Sequence, residues 1–265
     1  MKLKIISYAT HSEGYYHILL LQLKKLNIDY EIIGYGKKWS GFFQKFTDTY
    51  EYLKTQDNNT IILFIDGFDS IVLENKKEIL KKYLSFKKKI IFGVEDLQNY
   101  VKTISQKIIF TNNKHVINSG SYIGKNKYLI RMFKKIMEKY GSNNLILDDQ
   151  MLINDFINKN NQFSNKYISI DTDKIIFANM SNTHSIYYIL GLSISNYVIN
   201  KEKHKIINID NNKSPSIISG CSNFNMTKYI LFLGYNKDLI IKRNYKLFMI
   251  HNIINYLKTY FYIKK

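Results

Sequence analysis

Two carboxylates three residues apart, Asp66 and Asp69, lie in the segment Ile61-Ile62-Leu63-Phe64-Ile65-Asp66-Gly67-Phe68-Asp69-Ser70-Ile71. The apolar run before them reads as a buried strand, so the acids fall in the turn at its C-terminal end, where open α/β sheets bind ligands. Acids there supply hard oxygen ligands for Mn²⁺ or Mg²⁺, and such an ion neutralises a leaving diphosphate. A turn cap and a solvated carboxylate explain the same pair without a ligand. A further pair, Asp148 and Asp149, precedes a helical pattern in Leu147-Asp148-Asp149-Gln150-Met151. An N-cap at the helix dipole accounts for one of these acids. The adjacent acid suits an acceptor amine or hydroxyl, or positive charge developing on a sugar ring. Asn118-Ser119-Gly120-Ser121-Tyr122-Ile123-Gly124 sets small and amide residues between apolar runs. That composition fits close approach of backbone to a ligand, or an ordinary tight loop.

The elements that must position these groups alternate in type. Lys2–Ala9, Asp29–Gly34, Thr60–Ile65 and Lys88–Gly93 read as buried strands, separated by helical patterns at Tyr15–Leu26, Phe42–Thr55 and Lys76–Phe86. Such a βαβαβα order predicts a Rossmann-like, mainly parallel sheet. Further on, strands are expected at Tyr122–Gly124, Tyr167–Asp171 and Ile175–Ala178, around helices at Asn126–Tyr140 and Asp148–Asn158. Loops Asn211–Ser214 and Cys221–Asn225 flank a short apolar pair, Ile217–Ile218. Gly34-Tyr35-Gly36 does not complete a dinucleotide-binding glycine motif, because position 39 is Trp.

With 265 residues and 45% apolar composition the chain buries a sizeable core, and one domain or two fused lobes are expected. Cys221 is the only cysteine, so nothing demands an oxidising compartment. The first residues lack the features of a secretory signal, and no run is apolar enough to span a bilayer. A soluble, cytoplasmic protein is the expectation. The net charge of +18 suits phosphates, nucleic acid, anionic membranes or acidic substrates. Only Arg131 and Arg243 are arginines, whereas base reading leans on Arg, so nucleic acid is not the expected partner. The histidines show no metal-ligand spacing, and His115 and His184 read as structural. Leu247, Ile250, Ile254, Leu257 and Phe261 form an apolar stripe amid lysines, a C-terminal basic amphipathic helix that packs on the core or touches a membrane surface.

Seven segments in order carry a family likeness: Tyr8-Ala9-Thr10, Gly34-Tyr35-Gly36-Lys37-Lys38-Trp39-Ser40-Gly41, Gln44-Lys45, Phe64 to Ile71, Asn118 to Gly124, Asp148-Asp149-Gln150 and Ile176-Phe177-Ala178-Asn179. Together they resemble the glycosyltransferase domain of the procollagen lysyl hydroxylase and collagen glycosyltransferase family, over residues 3 to about 235. The resemblance implies a GT-A α/β fold with a smaller mixed acceptor-side region. It further implies transfer of glucose or galactose from a UDP-sugar, with Mn²⁺ or Mg²⁺, to a hydroxyl acceptor. Hydroxylysine or galactosyl-hydroxylysine of a collagen-like protein is the implied acceptor. Carried over by position, Asp66 and Asp69 bind the metal, and Thr10, Trp39, Lys45, Asp66, Phe68, Asn118, Ser119 and Gly120 face the donor. Asp148 and Asp149 stand near the acceptor and the transferred sugar, and Asp171 matches an acid of a family L-D-H segment.

Departures from the pattern are specific. Where relatives end the site with H-G-N-G-P-T-K, this chain has Ser219-Gly220-Cys221-Ser222, Asn223-Phe224-Asn225 and Met226-Thr227-Lys228. Ser219 falls where the histidine ligand is expected, and a hydroxyl is the poorer metal ligand. Lys228 reaches a phosphate only if the insertion loops out. Phe68 replaces a tyrosine, and the tryptophan-rich loop after Glu95 is missing. The expected layout is a transferase domain over 1–240, with a nucleotide-binding half to 110 and an acceptor-side half from 111, followed by the helix over 241–265. Rival readings are a related transferase acting on another glycan, lipid or protein, and a non-catalytic sugar-nucleotide-binding module.

Overall fold

The structure, a computed structural model, describes residues 1–95, 115–141, 147–181, 192–221, 224–242 and 257–263. Strand β1 (Leu3–Tyr8) is followed by helix α1 (Tyr16–Lys25), β2 (Tyr30–Ile33), α2 (Phe42–Lys54) and β3 (Ile61–Asp66). Next come β4 (Ser70–Val72), α3 (Lys76–Ser85) and β5 (Ile90–Val94). The later described elements are β6 (Ile117–Lys125), α4 (Asn126–Tyr140), α5 (Asp149–Lys159), α6 (Asn161–Tyr167), β7 (Ile168–Asp171) and β8 (Phe177–Met180). A hairpin of β9 (Tyr197–Asn200) and β10 (Lys205–Asn208), strand β11 (Ile217–Gly220) and helix α7 (Thr227–Phe232) follow.

Six strands form the main sheet in the order β2-β1-β3-β6-β5-β7. All described pairings in it are parallel except those of β6, which runs antiparallel to both neighbours. The sheet therefore takes strands from both sides of residue 110. A smaller mixed sheet, β4-β11-β8, lies beside it. This is the α/β architecture that the alternating patterns predict.

Period-two alternation decides what each face of the sheet meets. Ile62 and Phe64 of β3 join Ile6, Phe46, Leu53, Phe133, Leu152 and Phe156 in one core, so that face is covered by α2, α4 and α5. Ile61, Leu63 and Ile65 join Leu19, Leu23, Ile79 and Tyr83, so α1 and α3 cover the other. Asp66 has the parity of Ile62 and Phe64, which points it toward α2 and α5. Local signals fix the helix ends nearby. Asn75 caps α3 by accepting from the backbone N–H groups of Lys77 and Glu78. Gly141, at φ 84°, ends α4 in the left-handed region that glycine adopts without cost.

Several elements exceed the sequence reading. The stretch after Asp69, to which the sequence reading gave no element, is strand β4, and the pair Ile217–Ile218 belongs to β11 opposite it. The hairpin β9–β10 and the short helices α6 and α7 have no counterpart in the expectations. Of the C-terminal stripe, Leu247, Ile250 and Ile254 lie outside the described residues. Residues 257–263 are helical, but Leu257 and Phe261 are exposed. Tyr260 and Ile263 make the packing contacts instead, against Val116 and Met151. No helix among the described residues is long and apolar enough to cross a membrane.

Candidate functional site

β1 and β3 run parallel with Tyr8 opposite Asp66, so both strands end at one edge of the sheet. A cavity of about 190 Å³ opens there, lined by Tyr8, Thr10, His11, Glu13, Trp39, Phe42, Lys45, Asp66, Gly67, Phe68 and Asp69. Trp39 meets Tyr8 and Phe42 edge to face, with ring centroids 6.0 and 5.4 Å apart. These rings give an apolar, aromatic wall, and the acids and Lys45 give the polar groups that fix a ligand's orientation. His11 meets the Phe68 ring at a tilt of 51°, with centroids 5.1 Å apart, and its Nδ1 lies 2.9 Å from the Thr10 hydroxyl.

Lys45 comes from the buried face of α2 and is 7% exposed. Its ammonium lies 3.2 Å from Asp66 Oδ1 and 2.9 Å from Asp149 Oδ2, so one cation joins the acid turn of β3 to the start of α5. Burial alone pulls the Lys45 pKa down, but Asp149 and Asp66 outweigh it and hold the group charged. Burial raises the Asp149 carboxyl; Lys45 and a hydrogen bond from Ser119 offset only part of that rise. Asp148 is the N-cap of α5 and accepts from the Met151 N–H at 2.9 Å. Burial, then Asp149, pushes it up to about 7.

The loop of small residues proves to be the start of β6, and the β3–β6 register explains its composition. Phe64 pairs with Tyr122 and Ile65 with Ser121, and the next step sets Gly120 beside Asp66. A Cβ on Gly120 would stand 2.0 Å from Asp66 Oδ2, so the carboxylate occupies the space that any other residue would fill. Asn118 bridges Glu95 Oε1, to which its Nδ2 donates at 2.5 Å, and the Gly120 N–H, which donates to its Oδ1 at 2.7 Å. The Ser119 N–H donates to Gln150 Oε1 at 3.2 Å, tying β6 to the acid-bearing helix.

Thus Thr10, Trp39, Lys45, Asp66, Phe68 and Asp69 share one cavity, with Gly120, Ser119, Asp148 and Asp149 packed behind it. Ser219 and Lys228 do not join them. β11 pairs Ser219 with Ser70, the two buried hydroxyls lying 2.8 Å apart, and Ser219 is absent from the cavity lining. Lys228 is exposed on α7 with its ammonium over the neighbouring Tyr229 ring. Asp171 is structural in its contacts: its carboxylate accepts from the N–H groups of Ile175, Ile176 and Phe177 and so ties β7 to β8. His115 lies outside the cavity, and His184 falls outside the described residues. The sequence reading missed Tyr8, His11, Glu13, Phe42 and Gly67. For Tyr8, His11 and Glu13 the signal was position, since residues at and just past the end of β1 share the carboxyl edge that carries the acid turn; Gly67 lies in that turn and Phe42 opens α2.

Asp66 and Asp69 suit a hard divalent cation that takes its remaining ligands from a diphosphate and water. The cleared space at Gly120 keeps one of those carboxylates in place. Among the described residues no group of three or more His, Cys, Asp or Glu is placed to hold a metal ion.

The raised Asp148 carboxyl sets a pH dependence of stability. Between 3.8 and about 7 the folded chain keeps a proton that the unfolded chain has lost. Stability therefore falls with rising pH through that window, by roughly 1.4 kcal/mol per unit, and levels off above it. Asp149 acts in the same direction, whereas Lys45 opposes it. Asp148→Asn is expected to make the fall in melting temperature from about pH 5 to about pH 8 shallower; an unchanged slope would assign the proton elsewhere.

The family model of the PLOD GT domain matches residues 1–235. Procollagen-lysine,2-oxoglutarate 5-dioxygenase 2 of Mus musculus is 25% identical over 146 residues, which cover 51% of this chain and 20% of that protein. The multifunctional procollagen lysine hydroxylase and glycosyltransferase of Caenorhabditis elegans is 25% identical over 137 residues, 46% of this chain and 19% of that protein. Uncharacterized protein R699 of Acanthamoeba polyphaga mimivirus is 28% identical over 161 residues, 57% of this chain and 31% of that protein. The match therefore spans about a fifth of the length of the two procollagen hydroxylases. Among solved structures, a glycosyltransferase involved in the glycosylation of the major capsid of PBCV-1 has a TM-score of 0.47 at 9% identity, over 84% of this chain and 96% of that one. The galactosyltransferase LgtC, in complex with donor and acceptor sugar analogs, has a TM-score of 0.45 at 14% identity, over 87% and 95%.

Proposed function

The chain belongs to the PLOD GT domain family, and from that premise we propose that it is a GT-A hexosyltransferase that moves glucose or galactose from a UDP-sugar to a hydroxyl acceptor. The acceptor is hydroxylysine or galactosyl-hydroxylysine of a collagen-like protein, and residues 1–240 form the transferase domain. One observation carries the reading: Asp66 and Asp69 open, with Lys45, into an aromatic-walled cavity at the carboxyl ends of two parallel strands. That is the placement a nucleotide ligand uses in an open α/β sheet.

In this reading Trp39 and Phe68 stack against the base, and the Thr10 hydroxyl hydrogen-bonds the nucleoside. Mn²⁺ or Mg²⁺ held by Asp66 and Asp69 would neutralise the departing diphosphate. Lys45 fixes the Asp66 carboxylate and sets a positive charge at the cavity wall. Asp149, held by Lys45 and Ser119 behind the cavity wall, sets a negative charge near the acceptor hydroxyl or near positive charge on the sugar. Asp148 caps the helix that carries it.

The test is release of UDP by the purified chain from a panel including UDP-glucose and UDP-galactose, with Mn²⁺ and with EDTA. Release in Mn²⁺ that EDTA abolishes is expected, and the preferred donor names the sugar. Neither release nor a thermal shift with UDP and Mn²⁺ would overturn the reading. The Ser70–Ser219 pair, which leaves the ion without a ligand from β11, favours one alternative, a non-catalytic sugar-nucleotide-binding module. A thermal shift without release, from any donor, would select it.

A further inference from the structure

The acid-bearing turn at Asp148–Asp149 is held from a distant part of the chain. An N-cap residue has a backbone N–H that its own helix leaves unpaired, and a capping box returns a side chain from the third helical residue to it. The third helical residue of α5 is Met151, which has no group to return. The Asp148 N–H donates instead to the Thr259 hydroxyl, at 2.8 Å and across 111 residues of sequence. Thr259 is fully buried there. Its neighbours Tyr260 and Ile263 pack against Met151 and Val116, and the Tyr262 hydroxyl donates to the Tyr140 carbonyl at 2.9 Å. Residues 257–263 thus close over the start of α5, and they lie beyond the stretch matched by the family model, which ends at 235.

We infer that Thr259 is a positioning residue for the acid pair, and that this C-terminal segment completes a site that the matched domain does not complete by itself. The contacts run in series. Thr259 fixes the backbone of Asp148, the next residue is Asp149, Asp149 pairs with Lys45, and Lys45 pairs with Asp66 in the donor cavity. A shift of the α5 start moves the Asp149 carboxylate, while Asp66 stays seated in the space at Gly120 and Asp69, Trp39 and Phe68 line the cavity without a contact to α5 in this series. Loss of the Thr259 hydroxyl therefore affects transfer more than donor binding. The kinetic consequence rests on the transferase reading; the structural one does not.

Thr259→Val keeps the shape and removes the acceptor, whereas Thr259→Ser keeps the hydroxyl. In the full chain, Thr259→Val is expected to lower kcat on the order of ten-fold, with KM for the UDP-sugar and UDP affinity unchanged, and Thr259→Ser is expected to restore it. Hydrogen exchange at the Asp148 amide is expected to accelerate in Thr259→Val and to stay slow in Thr259→Ser. Wild-type kcat in the valine variant, or an equal loss of UDP binding, would overturn the positioning role. If the wild type transfers no sugar, the transferase reading fails, and amide exchange alone decides: equal protection of Asp148 in wild type and Thr259→Val refutes the inference.

Discussion

Lys45→Met is expected to lower the melting temperature at about pH 8 by roughly 10 °C, corresponding to about 4 kcal/mol. Lys45 is 7% exposed, and its ammonium is shared by Asp66 and Asp149. Asp66 opens to the cavity and is solvated when Lys45 is lost. Asp149 does not: it is 4% exposed, sits beside Asp148, and has the Tyr122 ring near it. Removing one partner of a buried pair strands the other charge, and that stranding, rather than the lost attraction, dominates the cost. The sign is checked by a second substitution. Asp149→Asn in the Lys45→Met background removes the stranded charge and is expected to recover most of the loss, a coupling that independent sites would not show. The deficit of Lys45→Met also shrinks as pH falls, because Asp149 then takes up a proton. Melting curves of the single and double variants at two pH values check all three statements. A Lys45→Met protein that melts with the wild type would mean that water, not protein, neutralises Asp149.

Lys45 also illustrates what the sequence made legible. By spacing alone a lysine in α2 reads as a solvated helix cation; only the family likeness singled it out. Strand β3 was legible because a buried strand writes itself as a continuous apolar run, and the acid turn followed from where that run ends. The helices α1 to α5 were legible because apolar residues recur at helical spacing over whole turns. Pairing between distant strands leaves no such local trace. Nothing in Asn118 to Gly124 announces that this strand enters the sheet antiparallel between β3 and β5, and so its start was read as a loop. β4 has only three residues, too few for a period to show, yet its pairing with β11 takes the Ser219 hydroxyl to Ser70 and away from the cavity. Lys228 was placed by motif order, and order does not specify on which side of a helix a residue emerges.

Gly120→Ala is expected to reduce UDP release by at least on the order of a hundred-fold while leaving the fold intact. The added methyl would lie 2.0 Å from Asp66 Oδ2 and 2.5 Å from its Cγ, so the carboxylate must swing away from β6. Backbone conformation does not oppose the change, because Gly120 lies within β6, in extended geometry that alanine also adopts. The other close atom is Asn118 Oδ1 at 3.1 Å, which must give by a few tenths of an ångström. The damage is thereby confined to the group proposed to hold the cation and diphosphate. Three comparisons test this. Thermal stability should stay within a few degrees of wild type, affinity for UDP with Mn²⁺ should fall together with UDP release, and Gly120→Ala combined with Asp66→Ala should be no worse than Asp66→Ala alone, since a carboxylate that is absent cannot be displaced. Additive losses would place the role of Gly120 in the strand itself. Full activity in Gly120→Ala would mean that Asp66 does its work from another rotamer, and the donor site would then have to be rebuilt around Asp69.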